Sequence, residues 1–147
     1  MSDELAEVLL VEDSPDDVAF FIRTFKRANL PAQLRVASNG KEALEYLFTD
    51  TGLPRHPVSD RLKVIFLDLK LPKMDGLEVL RRCKNDPRTK TIPVVVLSSS
   101  QEERDLVESY ELGVNSYIVK PMDFDHFGES VRMLAHYWLQ LNQTPKS

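Results

Sequence analysis

Apolar residues along this chain alternate between two patterns. Residues 8–11 (VLLV), 64–67 (VIFL) and 93–97 (PVVVL) are short runs without polar interruption, as expected of strands buried on both faces. Residues 34–37 (LRVA) and 116–119 (SYIV) read as two further short strands. Between the runs, apolar positions recur at helical spacing: Val18, Phe21, Ile22 and Phe25; Ala43, Leu44, Leu47 and Phe48; Leu77, Leu80 and Cys83; Leu106, Val107 and Tyr110. A last stripe carries Phe124, Phe127, Val131, Leu134, Ala135, Trp138 and Leu141. Each stripe is expected to face inward. Phe20 lies off the first one and is expected to be an exposed aromatic.

Local signals mark the element boundaries. Ser14-Pro15-Asp16-Asp17 reads as an N-cap, a proline at the first helical position and acids in the first turn, with Asp17 completing a capping box. Ser100-Gln101-Glu102-Glu103 reads as a second capping box, opening the fourth helix, and Gly113 as that helix's stop. The third helix is expected to end before Asp86-Pro87, and the last to start near Asp123. Residues 51–62 form a polar loop with Pro54 and Pro57, long against the usual connection of about 4–6 residues. Strand and helix alternate five times. That order predicts an α/β fold, a doubly wound parallel sheet with helices on both faces, since crossovers are right-handed and both faces need cover.

Composition narrows the function classes. At 147 residues and 42% hydrophobic, the chain is expected to be one domain over 1–147 with a core of about 8–141. A formal charge of −4 without a dense basic stripe argues against a nucleic-acid partner. Cys83 is the single cysteine, and His56, His126 and His136 are scattered, so neither a disulfide nor a zinc cluster is expected. The acidic N-terminus carries only a four-residue apolar run, neither a signal peptide nor a membrane span. A cytoplasmic protein without a membrane partner is expected.

The chemistry lies at the strand ends. The run 64–67 stops at Asp68, and Leu71-Pro72 and Asp75-Gly76 force a loop after it. The first run likewise ends in Glu12 and Asp13, the fourth delivers Ser98, and the fifth ends at Lys120-Pro121. In an open parallel sheet, ligands bind at the carboxyl ends of the strands. Three carboxylates in one crevice repel each other, and a hard divalent cation with oxygen ligands relieves this; magnesium suits it, with manganese as the alternative. A cation beside Asp68 draws in a phosphoryl group, and aspartate is a competent acceptor. The Lys120 ammonium and the Ser98 hydroxyl would neutralise two of its oxygens. Ser100 reads as a helix cap before it reads as a phosphate contact.

Glu12-Asp13, Asp68 within DLKLPKMDG, Ser98 after PVVVL, Tyr117, and Lys120-Pro121 together resemble the receiver domain of bacterial two-component response regulators. The resemblance spans about residues 8–141. It implies a flavodoxin-like sheet of order 2-1-3-4-5 and a phosphoryl group taken by Asp68 from a histidine kinase or phosphotransfer domain. It also implies a magnesium site made by Asp13, Asp68 and the backbone carbonyl of Lys70, with Glu12 acting through water. Ser98 and Tyr117 would be the switch pair, and Lys120-Pro121 a cis peptide. The first acid departs from the family's usual aspartate. Lys70 and Ser100 border the route of the hydrolytic water, so they bear on how slowly the phosphoryl group is lost, and the Lys70 cation is itself placed to touch that group. More narrowly, the 51–62 loop and His136-Tyr137-Trp138-Leu139 resemble the single-domain regulators that partner bacterial phytochrome kinases. That narrower resemblance implies a homodimer through the fourth and fifth helices and the fifth strand, as such receivers tend to form.

With only Asn142 to Ser147 after Leu141, no output domain is expected, and the signal to a downstream protein target would pass through a surface. Other classes weigh against this reading. A phosphoryl sink or an unphosphorylated scaffold would share the sequence. An aspartyl-phosphate phosphatase of the haloacid-dehalogenase type wants an acid where Lys70 stands. A flavin carrier wants a hydroxyl-rich phosphate loop where Glu12-Asp13-Ser14-Pro15 offers two anions.

Overall fold

The computed structural model describes residues 6–48, 61–72 and 74–145. The strands are β1 (Ala6–Val11), β2 (Ala32–Ala37), β3 (Leu62–Leu67), β4 (Val94–Ser98) and β5 (Ser116–Val119). The helices are α1 (Pro15–Arg27), α2 (Gly40–Leu47), α3 (Gly76–Asn85), α4 (Glu103–Glu111) and α5 (Phe124–His136), and a π-helical turn, Tyr137–Leu141, follows α5. All strand pairs are parallel, in the order β2-β1-β3-β4-β5. This is the flavodoxin-like order. The winding reverses between β1 and β3, and at such a point the connections leave in opposite directions and open a crevice at the strand ends.

The uninterrupted apolar runs follow from burial on both faces. Successive side chains of a strand point to opposite sides, so Leu9, Val11, Ile65, Leu67, Val94 and Val96 pack under α2 and α3 against Ala43, Leu47, Val79 and Leu80. Val8, Leu10, Val64, Phe66, Val95 and Leu97 meet Phe21 and Phe25 of α1 and Phe127, Val131 and Ala135 of α5. Ten of these twelve strand residues are no more than 1% exposed. Their burial supplies the bulk of the stabilisation, at roughly 25 cal/mol per Å² of apolar area.

Several expectations shift. Leu62, placed in the polar loop, is the first residue of β3 and is buried; the rest of that loop, 51–60, lies outside the described residues, with Arg61 described at its end. Phe20 is half-buried, its ring 4.8 Å from Phe124 and 5.6 Å from Phe127, because the α1–α5 contact is wide enough to take a side chain beside the main stripe. Phe124 and Leu141 leave that stripe for solvent, at 56% and 59% exposure. The helical repeat changes to a π-helical turn at Tyr137, rotating the last residues out of register.

The fourth helix departs most. It is capped at Glu102 with no side-chain hydrogen bond, so the expected Ser100 capping box does not form. Val107 and Tyr110 are exposed, and the buried positions are Asp105 and Ser109. The inward face is therefore polar. Gly113 does end this segment with a positive φ of 101°.

Candidate functional site

Backbone pairing carries the sheet one residue past its strand ends and fixes the catalytic-looking side chains in place. Glu12 N–H donates to the Ala37 carbonyl (3.0 Å), Asp68 N–H to Val11 (3.0 Å) and Lys120 N–H to Ser98 (2.8 Å). The β3–α3 connection closes tightly behind Asp68. Gly76 N–H donates to the Leu69 carbonyl (3.0 Å), and a Cβ at Gly76 would collide with the Asp68 carbonyl, so only glycine fits there.

One carboxylate oxygen from each of Glu12, Asp13 and Asp68 lies within 4.8 Å of the others. Glu12 and Asp68 are buried and Asp13 is exposed. An all-oxygen, triply anionic donor set open to solvent on one side fits a hard divalent cation that keeps several waters. Soft or tetrahedral metals would want sulfur or imidazole, which the cluster lacks. The sequence grouping of these three acids is thus reproduced in space.

Lys120 is the counter-charge. Its Nζ lies 2.6 Å from Glu12 Oε1, 2.9 Å from Asp17 Oδ2 and 3.6 Å from Asp68 Oδ2. Burial alone would pull the ammonium down, but the Glu12 hydrogen bond, the Asp68 charge and the Asp17 hydrogen bond hold it above the ordinary lysine range. Burial pushes the Glu12 carboxyl up, the Asp68 charge adds to this, and Lys120 only partly opposes it. Such groups titrate as a set.

Asp17 is the residue that sequence reasoning missed. Half of its expected capping role is present, its N–H donating to Ser14 Oγ at 3.3 Å, while its carboxylate faces Lys120 across 103 positions of chain. Its place one helical turn after Asp13 was the available signal.

Ser98 is fully buried and its Oγ accepts from Ser100 N–H (3.1 Å). Tyr117 is half-buried, and its hydroxyl donates to the Ser100 carbonyl (3.1 Å). Burial raises its phenol above the usual range. Ser98 and Tyr117 thus meet on the same loop. Lys70 N–H donates to Asp68 Oδ1 (3.2 Å), whereas its ammonium pairs with Asp105 Oδ2 (3.4 Å). Pro121, with Asp17, Ser99, Lys120 and Phe124, lines a groove of about 280 Å³ beside the acids.

The model of the response regulator receiver domain family matches residues 8–132. The chain belongs to this family. Among curated relatives of this receiver domain, response regulator Rcp1 of Synechocystis sp. is 36% identical over 138 residues, covering 94% of this chain and 92% of Rcp1. The probable methanogenesis regulatory protein FilR2 of Methanothrix harundinacea is 38% identical over 142 residues, covering 94% and 86%. Among solved structures, the phosphorylated cyanobacterial phytochrome response regulator RcpA superposes with a TM-score of 0.86 at 35% identity, covering 97% of this receiver and all of RcpA. The Mn2+-bound form of Rcp1 superposes with a TM-score of 0.84 at 36% identity, covering 95% and 99%. The receiver fold and the two-component class are thereby established. No helix among the described residues is long and apolar enough to cross a membrane.

Proposed function

We propose that Asp68 is a phosphoryl acceptor and that the chain signals through the surface change this modification produces. The observation that carries the proposal is the meeting of three carboxylates within 4.8 Å with the Lys120 ammonium 3.6 Å from Asp68. A carboxylate oxygen of Asp68 forms a bond to phosphorus as the bond from phosphorus to a phosphohistidine nitrogen of a histidine kinase or phosphotransfer domain breaks, and the freed imidazole takes up a proton. Slow hydrolysis reverses the modification: water adds to phosphorus, the Asp68 acyl-phosphate bond breaks, and phosphate and a proton leave.

Magnesium, or manganese as in the Rcp1 relative, would supply charge neutralisation at the transferring phosphoryl oxygens. Asp13, Asp68 and the Lys70 carbonyl would hold it, with Glu12 acting through water. Lys120 would bind a second phosphoryl oxygen, and Ser98 Oγ would donate to a third after giving up its bond to Ser100. Tyr117, released from the Ser100 carbonyl, would follow inward. The haloacid-dehalogenase alternative has no support here, because Lys70 occupies the position of its second acid and is paired with Asp105.

Intact mass after incubation with acetyl phosphate, with magnesium and with a chelator in its place, tests the proposal. One phosphoryl group is expected with magnesium and none with chelator. No gain despite measured metal binding would leave a scaffold and undo the switch.

The same reading extends to a homodimer through α4, β5 and α5. Val107 and Tyr110 on α4, Val119 on β5, and Met133 and Tyr137 at the end of the chain's last helical stretch are large apolar side chains 40–60% exposed. Sedimentation velocity is expected to show a dimer that Tyr110→Arg shifts toward monomer. A monomer at high concentration, with and without a phosphoryl mimic, would exclude it.

A further inference from the structure

Lys70 stands two residues after the proposed acceptor, yet its ammonium turns away to α4. Its partner Asp105 is 4% exposed and carries the only carboxylate on that helix's buried face. The Asp105 carboxylate accepts the Ser100 hydroxyl at 2.6 Å, and its Oδ2 lies 3.4 Å from Lys70 Nζ. Ser100 in turn donates its N–H to Ser98 Oγ and accepts the Tyr117 hydroxyl on its carbonyl. One buried acid therefore gathers the cation next to Asp68, both members of the proposed switch pair and the first turn of α4.

The helix these contacts hold is weakly seated. Its buried residues are Asp105 and Ser109, neither apolar, and the Ser109 hydroxyl finds no partner among the described residues. Val107 and Tyr110 project into solvent instead of the core. An element with few buried apolar contacts is drawn from the low-stability end of a fold. The Lys70–Asp105 pair, with the Ser100 hydroxyl, is therefore among the contacts that fix its first turn. Lys70 itself is 60% exposed in its side chain, so it has room to move.

We propose that Asp105 is a positioning residue for phosphoryl transfer: it withholds Lys70 from Asp68 in the unmodified chain and yields it to the phosphoryl oxygens once Asp68 is modified, freeing the first turn of α4. The inference rests on Asp68 being the acceptor. A phosphoryl group brings close to two negative charges, against one on Asp105, so the competition for a mobile ammonium favours the new anion. Asp105, still shielded and now without its cation, is then better solvated by an outward shift of residues 103–106.

The test is a double-mutant cycle on the rate of phosphoryl gain from acetyl phosphate with magnesium, followed by intact mass. Asp105→Asn keeps an acceptor for Ser100 and removes only the charge; Lys70→Gln removes the cation and keeps the backbone carbonyl. Asp105→Asn is expected to speed the gain about threefold or more, and Lys70→Gln to slow it by a similar factor. In the Lys70→Gln background Asp105→Asn should change the rate by less than about 1.5-fold. Amide exchange supplies a readout that does not depend on Asp105→Asn folding: modification should accelerate exchange at residues 103–106 in the native chain and not in Lys70→Gln. Phosphoryl gain with equal rates in all four chains, or an Asp105→Asn effect that persists without Lys70, overturns this inference alone. No gain in any chain overturns the acceptor assignment and this inference with it.

Discussion

Asp68→Asn is expected to abolish phosphoryl gain altogether, from acetyl phosphate as from a phosphohistidine donor, with magnesium present. An amide has no anionic oxygen to attack phosphorus, and its nitrogen lone pair is delocalised into the carbonyl, so the substitution removes the nucleophile and little volume. Magnesium affinity should fall about tenfold or more with the loss of one of three carboxylates. The metal-free chain should stay folded. Glu12, Asp13 and Asp68 offer oxygens within 4.8 Å of one another, so neutralising one relieves repulsion, while Lys120 keeps its two shorter contacts, to Glu12 and Asp17. Loss of the Asp68 charge also takes away one cause of the raised Glu12 carboxyl, which should move down toward its ordinary value. Intact mass, a magnesium titration by calorimetry, thermal unfolding and a carboxyl titration followed by NMR check the four statements in turn. Undiminished phosphoryl gain in Asp68→Asn would move the acceptor to another acid, Asp13 first.

The parts of this molecule legible in its sequence are those where one constraint acts alone. Residues 8–11, 64–67 and 94–97 must be apolar at every position because helices cover both sheet faces, and the carboxylates that end two of these runs mark the strand termini. Where constraints compete, patterning misleads. The fourth helix shows Leu106, Val107 and Tyr110 at helical spacing, yet Asp105 and Ser109 face inward, because this face meets the polar loop after β4 and not the apolar sheet alone. Ser100 looks like the cap residue, but its hydroxyl accepts from Glu102 N–H (3.3 Å), short of the capping-box bond, and donates to Asp105. Asp17 looks like a first-turn acid, which it is, and reaches Lys120 as well. Spacing encodes neighbours within an element; it carries no information on a pair separated by 103 residues, which only the crossovers bring together. The pathway is equally absent from the strand ends: this chain matches Rcp1, named a response regulator, and FilR2, named a probable methanogenesis regulatory protein, at similar identity.

Lys120→Met is expected to slow phosphoryl gain about a hundredfold at saturating magnesium, the usual loss on removing one preorganised charge from a transferring group. Stability should change in a manner that identifies the lysine's second role. Lys120 lies within 4.0 Å of Glu12, Asp17 and Asp68 with its own side chain only 12% exposed, so its removal strands negative charge in a shielded crevice. A loss of about 1–3 kcal/mol is expected for the metal-free chain at neutral pH, below the range for a fully buried pair because the crevice opens to water. The pH dependence follows from Glu12, whose carboxyl already sits above its ordinary value of 4.5 through burial and loses its lowering partner in the variant. A carboxyl raised in the folded state favours folding when protonated. The deficit should therefore be small in acid, grow as pH rises from the unfolded carboxyl range through the raised folded value, and level off above it. At the alkaline end the native lysine's own raised value matters: its stabilisation persists up to the unfolded lysine range near pH 10.4 and is lost above it, so the deficit shrinks again there. Magnesium binding should tighten several-fold, since a competing cation is gone from beside Glu12 and Asp68. A slower transfer together with tighter metal binding would place Lys120 on the phosphoryl group itself. An unchanged rate at saturating metal would reduce Lys120 to a structural counter-ion and leave the second phosphoryl oxygen without a partner in this site.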